Sequence, residues 1–177
     1  GDVWDLSTVH QRKTSFNPDP DFHDTPVWHY LYRIGKPPIP ADGAYKPCPR
    51  SIQKTPYTGP MSHHSPYRAD GFSNVHGWFD RAKAADGTLR LRARPRREVN
   101  LALAWESPID GIVAFAAEIA AEGNNGAGTV TIQQSKSLAE LGTYTIRPGH
   151  SQQVKLDDIE VRRGQQLYMV FAAPRDQ

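Results

Sequence analysis

Apolar side chains alternate with polar or small ones along residues 99–106, in the middle of the chain. The larger side chains occupy every second position, at Val99, Leu101, Leu103 and Trp105. This period of two is that of a β-strand with one buried face. The next five residues, 107–111, combine proline, aspartate and glycine, and they predict a β-hairpin corner.

Beyond that corner the pattern has two interpretations. Val113, Phe115, Ala117 and Ile119 would share one face of a second strand. Residues 112–122 are also rich in good helix formers, with a glycine directly after them to end a helix. The preceding turn signal favours the strand.

Other segments have the composition of strands and are separated by glycine- or proline-containing turns. They are residues 27–34, 89–94, 129–133, 143–146, 153–156 and 166–172. About eight short strands without a convincing long helix predict an all-β fold, an antiparallel β-sandwich or jelly roll.

Residues 36–88 differ from the rest of the chain. They hold eight of its fifteen prolines and little apolar periodicity, which predicts irregular backbone. Their aromatic residues argue against disorder. We therefore predict an ordered, irregular insertion laid across the sheet, within a single domain of residues 1–177.

Aromatic residues are the first candidates for ligand binding, since flat rings beside polar groups hold amphipathic ligands. Trp105 is in phase with the buried face of its strand and is predicted to be core. Trp28 fits either the core or a binding face. Trp78 is the preferred exposed platform, with Tyr67 as a further candidate, although both could instead anchor the insertion to the sheet.

An arginine-rich run, LRLRARPRR, occupies residues 89–97. In an extended chain Arg90, Arg92 and Arg94 share one face, about 6 to 7 Å apart. Guanidinium groups at that spacing suit the carboxylates or sulfates of an anionic polysaccharide. The alternative is an ordinary solvated strand face, or pairing with nearby acids such as Asp86 and Glu98.

Metal sites are the next hypothesis. His63, His64 and His76 lie in the proline-rich insertion and could bind a transition metal, although their spacing matches no known motif and solvated loop histidines are the alternative. Oxygen ligands for calcium are concentrated at Asn17, Asp19, Asp21 and Asp24, without the spacing of an EF-hand; ordinary Asx turns are the alternative.

No catalytic residue is predicted. The sequence has no Gly-x-Ser-x-Gly elbow, and Cys48 lies between two prolines rather than at a helix start that would activate it. Glu106 and Asp110 are interpreted as a solvent-facing residue and a turn former.

Three segments together resemble a known kind of module. They are DLS…FN…VWHYLYRIG at residues 5–35, LALAWESPIDGIVAF at 101–115 and VKLDDIEVRRGQQLYMVF at 154–171. They look like the β-sandwich accessory modules of large secreted bacterial proteins, which include polysaccharide-degrading enzymes, and they are similar to jelly-roll carbohydrate-binding modules. The resemblance implies a noncatalytic role, a polysaccharide ligand, further domains in the same polypeptide and a secreted or cell-surface location.

Composition and charge bear on the partners and the location that the protein can have. The net charge of +2 is too small to predict a nucleic-acid partner, and no apolar run is long enough to predict a membrane span. Residues 1–30 lack the layout of a signal peptide, so an exported protein would have lost it. The single cysteine excludes an internal disulfide.

The leading hypothesis is a noncatalytic carbohydrate-binding or accessory module. The alternatives are a metal-dependent jelly-roll enzyme that uses the loop histidines, and a structural spacer without a ligand.

Overall fold

The structure, a computed structural model, describes residues 1–6, 18–20, 25–34, 45–48, 67–68, 77–83, 86, 89–95, 99–122, 127–135 and 139–172. Apart from Leu6, whose backbone is helical, these ranges contain strands and the turns between them. The strands are β1 (Asp19–Pro20), β2 (Pro26–Ile34), β3 (Lys46–Pro47), β4 (Tyr67–Arg68), β5 (Gly77–Lys83), β6 (Leu89–Pro95), β7 (Val99–Glu106), β8 (Gly111–Ala120), β9 (Gly128–Gln134), β10 (Glu140–Ile146), β11 (Ser151–Val161) and β12 (Gln166–Ala172).

The larger layer is an antiparallel sheet in the order β1-β2-β7-β12-β9-β10, and β3 also pairs with β2. Its centre is the predicted alternating strand β7. Leu101, Leu103 and Trp105 are 0 to 6% exposed on one face of β7. The prediction that Trp105 belongs to the core is confirmed.

Two smaller sheets cover that face. One is the pair β8–β11 and the other has the order β4-β5-β6. Phe79 of β5 and Ile159 of β11 join the core cluster formed by Leu101, Leu103 and Trp105, and Leu91 of β6 packs against it. Because both small sheets contact the same side of the large one, the chain forms a two-layer sandwich. The predicted all-β antiparallel sandwich is confirmed.

Strand β8 also settles the choice between helix and strand after residue 111. It runs antiparallel to β11 over nearly its whole length, with Phe115 opposite Leu156 and Ile119 opposite Gln152. Its exposure alternates from residue to residue, as the period-two interpretation requires. Tertiary pairing thus overrides the helix propensity of its alanines.

The predicted hairpin corner at residues 107–111 is wrong. Strand β7 pairs with β2 and β12, whereas β8 pairs with β11, so this turn carries the chain from one layer to the other. Buried Ser107 fixes it: its backbone N–H donates to the carbonyl of Gln165, and its carbonyl accepts from the N–H of Gly164. Asp110 accepts from the N–H of Arg163, so the turn is fastened to the β11–β12 connection.

The structure describes only parts of the predicted irregular insertion, and one of these parts is a regular strand that was not predicted. Residues 77–83 form the seven-residue strand β5, paired along its length with β6. Two-residue strands β3 and β4 also fall within residues 36–88. The remainder of the prediction lies outside the described residues. Strand β5 was missed because its glycine, aspartate and lysine have low strand propensity and it follows a proline-rich stretch.

Among the described residues, no helix has the length and apolar character needed to cross a bilayer.

Candidate ligand-binding faces

The small sheet brings together candidates that come from two different parts of the sequence. The register of β5 against β6 places Trp78 opposite Arg94, Asp80 opposite Arg92 and Ala82 opposite Arg90. Residues directly opposite each other in antiparallel strands lie on the same face of the sheet. The predicted platform and the predicted arginine row therefore share one face, which we call the arginine face (Trp78, Asp80, Arg90, Arg92 and Arg94).

The arginine face points away from the core. Phe79, between Trp78 and Asp80 along β5, is fully buried in the core cluster, and Leu91 and Ala93 of β6 pack against the same cluster. Side chains alternate across a strand, so the arginines take the opposite, outward side. Arg90 is exposed, and the Arg92 side chain is 25% exposed.

One carboxylate reaches this face from another sheet. Glu122, just beyond β8, has an Oε2 atom 3.9 Å from Nη1 of Arg92. At that distance, and with the glutamate side chain 63% exposed, the pair contributes little to stability.

Two sequence candidates lie elsewhere. Trp28 is 8% exposed and belongs to the main core cluster, with Trp105 opposite it on β7, so its ring is a core element rather than a ligand platform. Tyr67 of β4 is opposite Phe79. Its register partner is therefore not one of the residues of the arginine face.

The metal hypotheses fall largely outside the described residues. His63, His64 and His76 lie outside them, as do Asn17, Asp21 and Asp24, while Asp19 belongs to the two-residue strand β1. Among the residues described, no three histidine, cysteine or acidic side chains cluster as metal ligands would. Cys48 is 2% exposed, and burial raises the pKa of its thiol well above the ordinary value.

A second polar face was missed by the sequence reasoning. It is the outer side of the large sheet, to which β7 contributes Asn100, Ala102, Ala104 and Glu106; the two alanines have no exposed surface. Larger side chains flank these alanines: Leu31 on β2 and Tyr168 on β12 pack with them in one cluster. We call this feature the alanine trough: the floor Ala102 and Ala104, flanked by residues 29–33 of β2 and 166–170 of β12.

One end of the alanine trough holds a carboxylate. Oε2 of Glu106 lies 2.9 Å from Nε2 of His29 and accepts a hydrogen bond from Nε2 of Gln166 at 3.2 Å. The glutamate side chain is 37% exposed and the histidine 18%. Glu106 is therefore held by neighbours on two strands and is not simply a solvent-facing residue. Burial lowers the pKa of His29 below its ordinary value, and the charge and hydrogen bonding of Glu106 oppose that effect only in part.

We expect the protein to lose stability as pH falls from about 7.5 to about 5, and His29→Gln to reduce this loss. In the unfolded chain His29 has its ordinary pKa of 6.5, whereas the folded-state pKa is lower. The unfolded state therefore takes up a proton first, so the contribution of neutral His29 is complete above about pH 6.5 and is lost as pH falls through and below it. Urea unfolding at several pH values measures the slope. His150→Gln, at an exposed position, is the matched control, and equal slopes for wild type and His29→Gln would contradict the assignment.

The other end of the alanine trough holds a tyrosine pair and an arginine. The rings of Tyr45 and Tyr168 stack with centroids 5.3 Å apart and an interplanar angle of 29°. Burial raises the pKa of both phenols; the charge of Arg33 opposes the shift at Tyr45, and that of Glu106 adds to the shift at Tyr168. Arg33, on β2, is 9% exposed.

Comparison of the chain with protein-family models, with curated proteins and with solved structures finds no match in any of the three.

Proposed function

We propose that this protein is a noncatalytic carbohydrate-binding β-sandwich module that binds an acidic polysaccharide on its arginine face. It would act as an accessory part of a larger secreted or cell-surface bacterial protein, in keeping with the modules its sequence resembles. The observation that carries the proposal is the register of the small sheet, which aligns Trp78 and Asp80 with Arg94 and Arg92.

The chemistry of this face suits an extended anionic chain. Arginines two residues apart on a strand are about 6 to 7 Å apart, so each can engage a separate acidic group of a polymer. Guanidinium groups bind carboxylates and sulfates through paired hydrogen bonds, which adds direction to charge. A tryptophan in the same register supplies the aromatic type of residue that stacks on sugar rings.

The net charge of the whole chain does not explain an attraction between the protein and an anionic polymer. The net charge of the chain is only +2, so the positive potential has to come from local arrangement rather than from an excess of basic residues. Arg90, Arg92 and Arg94 on one strand face supply three positive charges, against the carboxylates of Asp80 in the opposing strand and of Glu122. The same small net charge gives no support to nucleic acid as the partner.

The test compares dextran sulfate and polygalacturonate with neutral dextran by affinity electrophoresis at about 50 and 200 mM salt. Wild-type protein should bind the two anionic polymers, more weakly at the higher salt, because exposed charges are screened beyond roughly 8 Å at physiological ionic strength. Arg92→Ala with Arg94→Ala should weaken binding about tenfold or more, since hydrogen bonds to charged groups contribute roughly 1.5 to 3 kcal/mol each. Trp78→Ala should also weaken it, with little change in Tm.

Matched controls remove the same number of charges elsewhere. Arg162 and Arg163 are both exposed in the β11–β12 connection, so Arg162→Ala with Arg163→Ala should change the affinity by less than about threefold. Equal losses of affinity for the two double variants would mean that binding depends on the net charge of the protein and not on the arginine face. Equal binding of dextran and dextran sulfate would refute the anionic ligand.

A further inference from the structure

The outward sides of the two small sheets form one surface of the protein. Both sheets cover the same face of the large sheet. The side chain of Glu122, just beyond β8, reaches to 3.9 Å from that of Arg92 on β6, so the arginine face adjoins the outward side of the β8–β11 pair. We call that side the acidic face; its exposed residues are Ile112, Ala114, Ala116, Glu118 and Ala120 of β8, and Gln153, Lys155, Asp157, Asp158 and Glu160 of β11.

The acidic face carries an excess of negative charge. A bulge in β11 exposes Asp157 and Asp158 side by side, where a regular strand would turn one of them inward. Glu118 and Glu160 add further exposed carboxylates. The cation on this face is Lys155, whose Nζ lies 3.3 Å from a carboxylate oxygen of Asp157. One ammonium group cannot neutralise all of these carboxylates, so the face is negative.

The arginine face carries the opposite excess. Its three guanidinium groups outnumber the carboxylates of Asp80, which is opposite Arg92 in the register, and of Glu122. The outward surface of the second layer therefore has a positive half and a negative half, which meet where Glu122 reaches Arg92.

Small side chains keep the acidic face low along β8. Ala114, Ala116 and Ala120 are exposed, so another surface can approach the backbone of this strand closely. Ile112, 69% exposed, offers an apolar contact at the end of the strand. The longer acidic side chains of β11 reach further out than the alanines and are accessible to cations of a facing surface.

A surface with two adjoining halves of opposite charge is complementary to itself. In a symmetric dimer, the same surface patch of both copies forms the interface. A two-fold axis that lies in the surface, along the boundary between the two faces, turns one copy over and sets its arginine face on the acidic face of the other. An axis at right angles to that boundary would set like charges against each other, which is unfavourable.

We infer that two copies of this chain associate through the arginine face of one and the acidic face of the other, in a symmetric dimer with two such contacts. The dimer follows from the charges and does not require a carbohydrate ligand. A consequence that does rest on the proposed function is regulation of the same site: the dimer covers both arginine faces, so an acidic polysaccharide and a second copy compete for the same guanidinium groups.

Sedimentation equilibrium of the whole chain tests the dimer. Wild-type protein should dimerise within about 5 to 500 μM, as weak interfaces of limited area do. Raising the salt from about 20 to about 500 mM should increase the dissociation constant at least tenfold, because salt screens exposed charges. Glu160→Lys should increase it about tenfold or more, since it sets a cation against the arginines. Glu140→Lys is the matched control, at an exposed position of β10 in the large sheet, and should change it less than about threefold.

An exchange of charges tests the pairing of the two faces. Asp157→Lys with Glu160→Lys makes both halves positive, and Arg90→Glu with Arg92→Glu makes both halves negative. Each double variant alone should be monomeric where wild type is dimeric, whereas an equimolar mixture should form one-to-one dimers without larger species, because every facing pair of halves again has opposite charges. Thermal unfolding should show a Tm near that of wild type for the acidic-face variant, whose side chains are exposed, so this variant and Glu160→Lys decide the question if the arginine variant fails to fold.

Wild-type protein that stays monomeric over the whole range at low salt would overturn the inference. A dimer that Glu160→Lys leaves unchanged, or folded double variants that do not associate when mixed, would also overturn it.

The dimer and the proposed function can fail separately. The Asp157→Lys and Glu160→Lys variant keeps the arginine face, so it should be monomeric and bind dextran sulfate at least as tightly as wild type does. Dextran sulfate, but not neutral dextran, should dissociate the wild-type dimer. If wild type is monomeric and binds dextran sulfate, the dimer is refuted and the proposed function stands. If the dimer responds to charge exchange as expected but no anionic polymer binds, the dimer stands and the proposed function is refuted.

Discussion

Trp105→Ala is expected to lower the free energy of unfolding by about 3 to 5 kcal/mol, which is the usual cost of truncating a buried large aromatic side chain to alanine. Trp105 is 6% exposed at the end of β7. Trp4 packs against it with ring centroids 5.2 Å apart, and the register places Trp28 and Leu167 directly opposite on the two neighbouring strands. No small rearrangement fills the volume of an indole between two strands, so most of the cavity should persist.

Urea unfolding followed by far-ultraviolet circular dichroism measures this change. Trp105→Phe retains a ring and removes an indole N–H that has no partner among the described residues, so it should cost much less than the alanine variant. Ile112→Ala, at a side chain 69% exposed, is the surface control and should stay within about 0.5 kcal/mol of wild type. A loss below about 1 kcal/mol for Trp105→Ala would mean that the site collapses or that the ring is not packed as described.

Phe79→Ala is the second large effect, again about 3 to 5 kcal/mol. Phe79 has no exposed surface and meets Tyr30 and Phe171 of the large sheet edge-on, at centroid distances of 5.5 and 6.2 Å. Along β5 it lies between the two positions that this strand contributes to the arginine face. Its loss should therefore loosen the small sheet as well as the core, and binding to dextran sulfate should weaken although no residue of the arginine face has changed.

Hydrogen exchange resolves that local effect. In Phe79→Ala the amides of β5 and β6 should exchange faster relative to those of β9 and β10, which pair with each other and not with β5 or β6. Phe79→Leu preserves most of the apolar volume and should cost less than about 1.5 kcal/mol while retaining polymer binding. Uniform acceleration across both hairpins would show that Phe79 supports the whole fold and not the small sheet in particular.

The strands with clear period-two patterns were predictable because the alternation of apolar and polar residues within each strand shows which of its faces is buried. In β7 large apolar side chains alternate with polar residues or alanine, and in β6 arginines alternate with leucine and alanine. Strand β5 lacked that signature, since Gly77 and Asp80 disfavour strands in isolation. Only pairing with β6 reveals it.

The alanine trough could not be predicted because no local pattern specifies which strands become neighbours. Ala102 and Ala104 gave no indication of a polar face, since alanine is common in strands and helices alike. The trough forms because β2 and β12 flank β7, which brings His29 and Arg33 of one strand near Tyr168 of the other. The turn at residues 107–110 shows the same limit: its chemistry suits a hairpin and a crossing between layers equally well.

The order of strands in the large sheet also constrains how the chain reaches its native state. Strand β12 lies between β7 and β9, and β7 lies between β2 and β12, so three of the six strand pairs in this layer join segments that are far apart in sequence. Chain segments emerge from the ribosome at roughly 5 to 20 residues per second, and β7 and β9 must wait for β12 before their facing edges are paired. Folding dominated by such distant pairings takes milliseconds to seconds. During synthesis, therefore, these two edges remain open to the wrong partners for longer than the edges joined in the local hairpins β5–β6 and β9–β10.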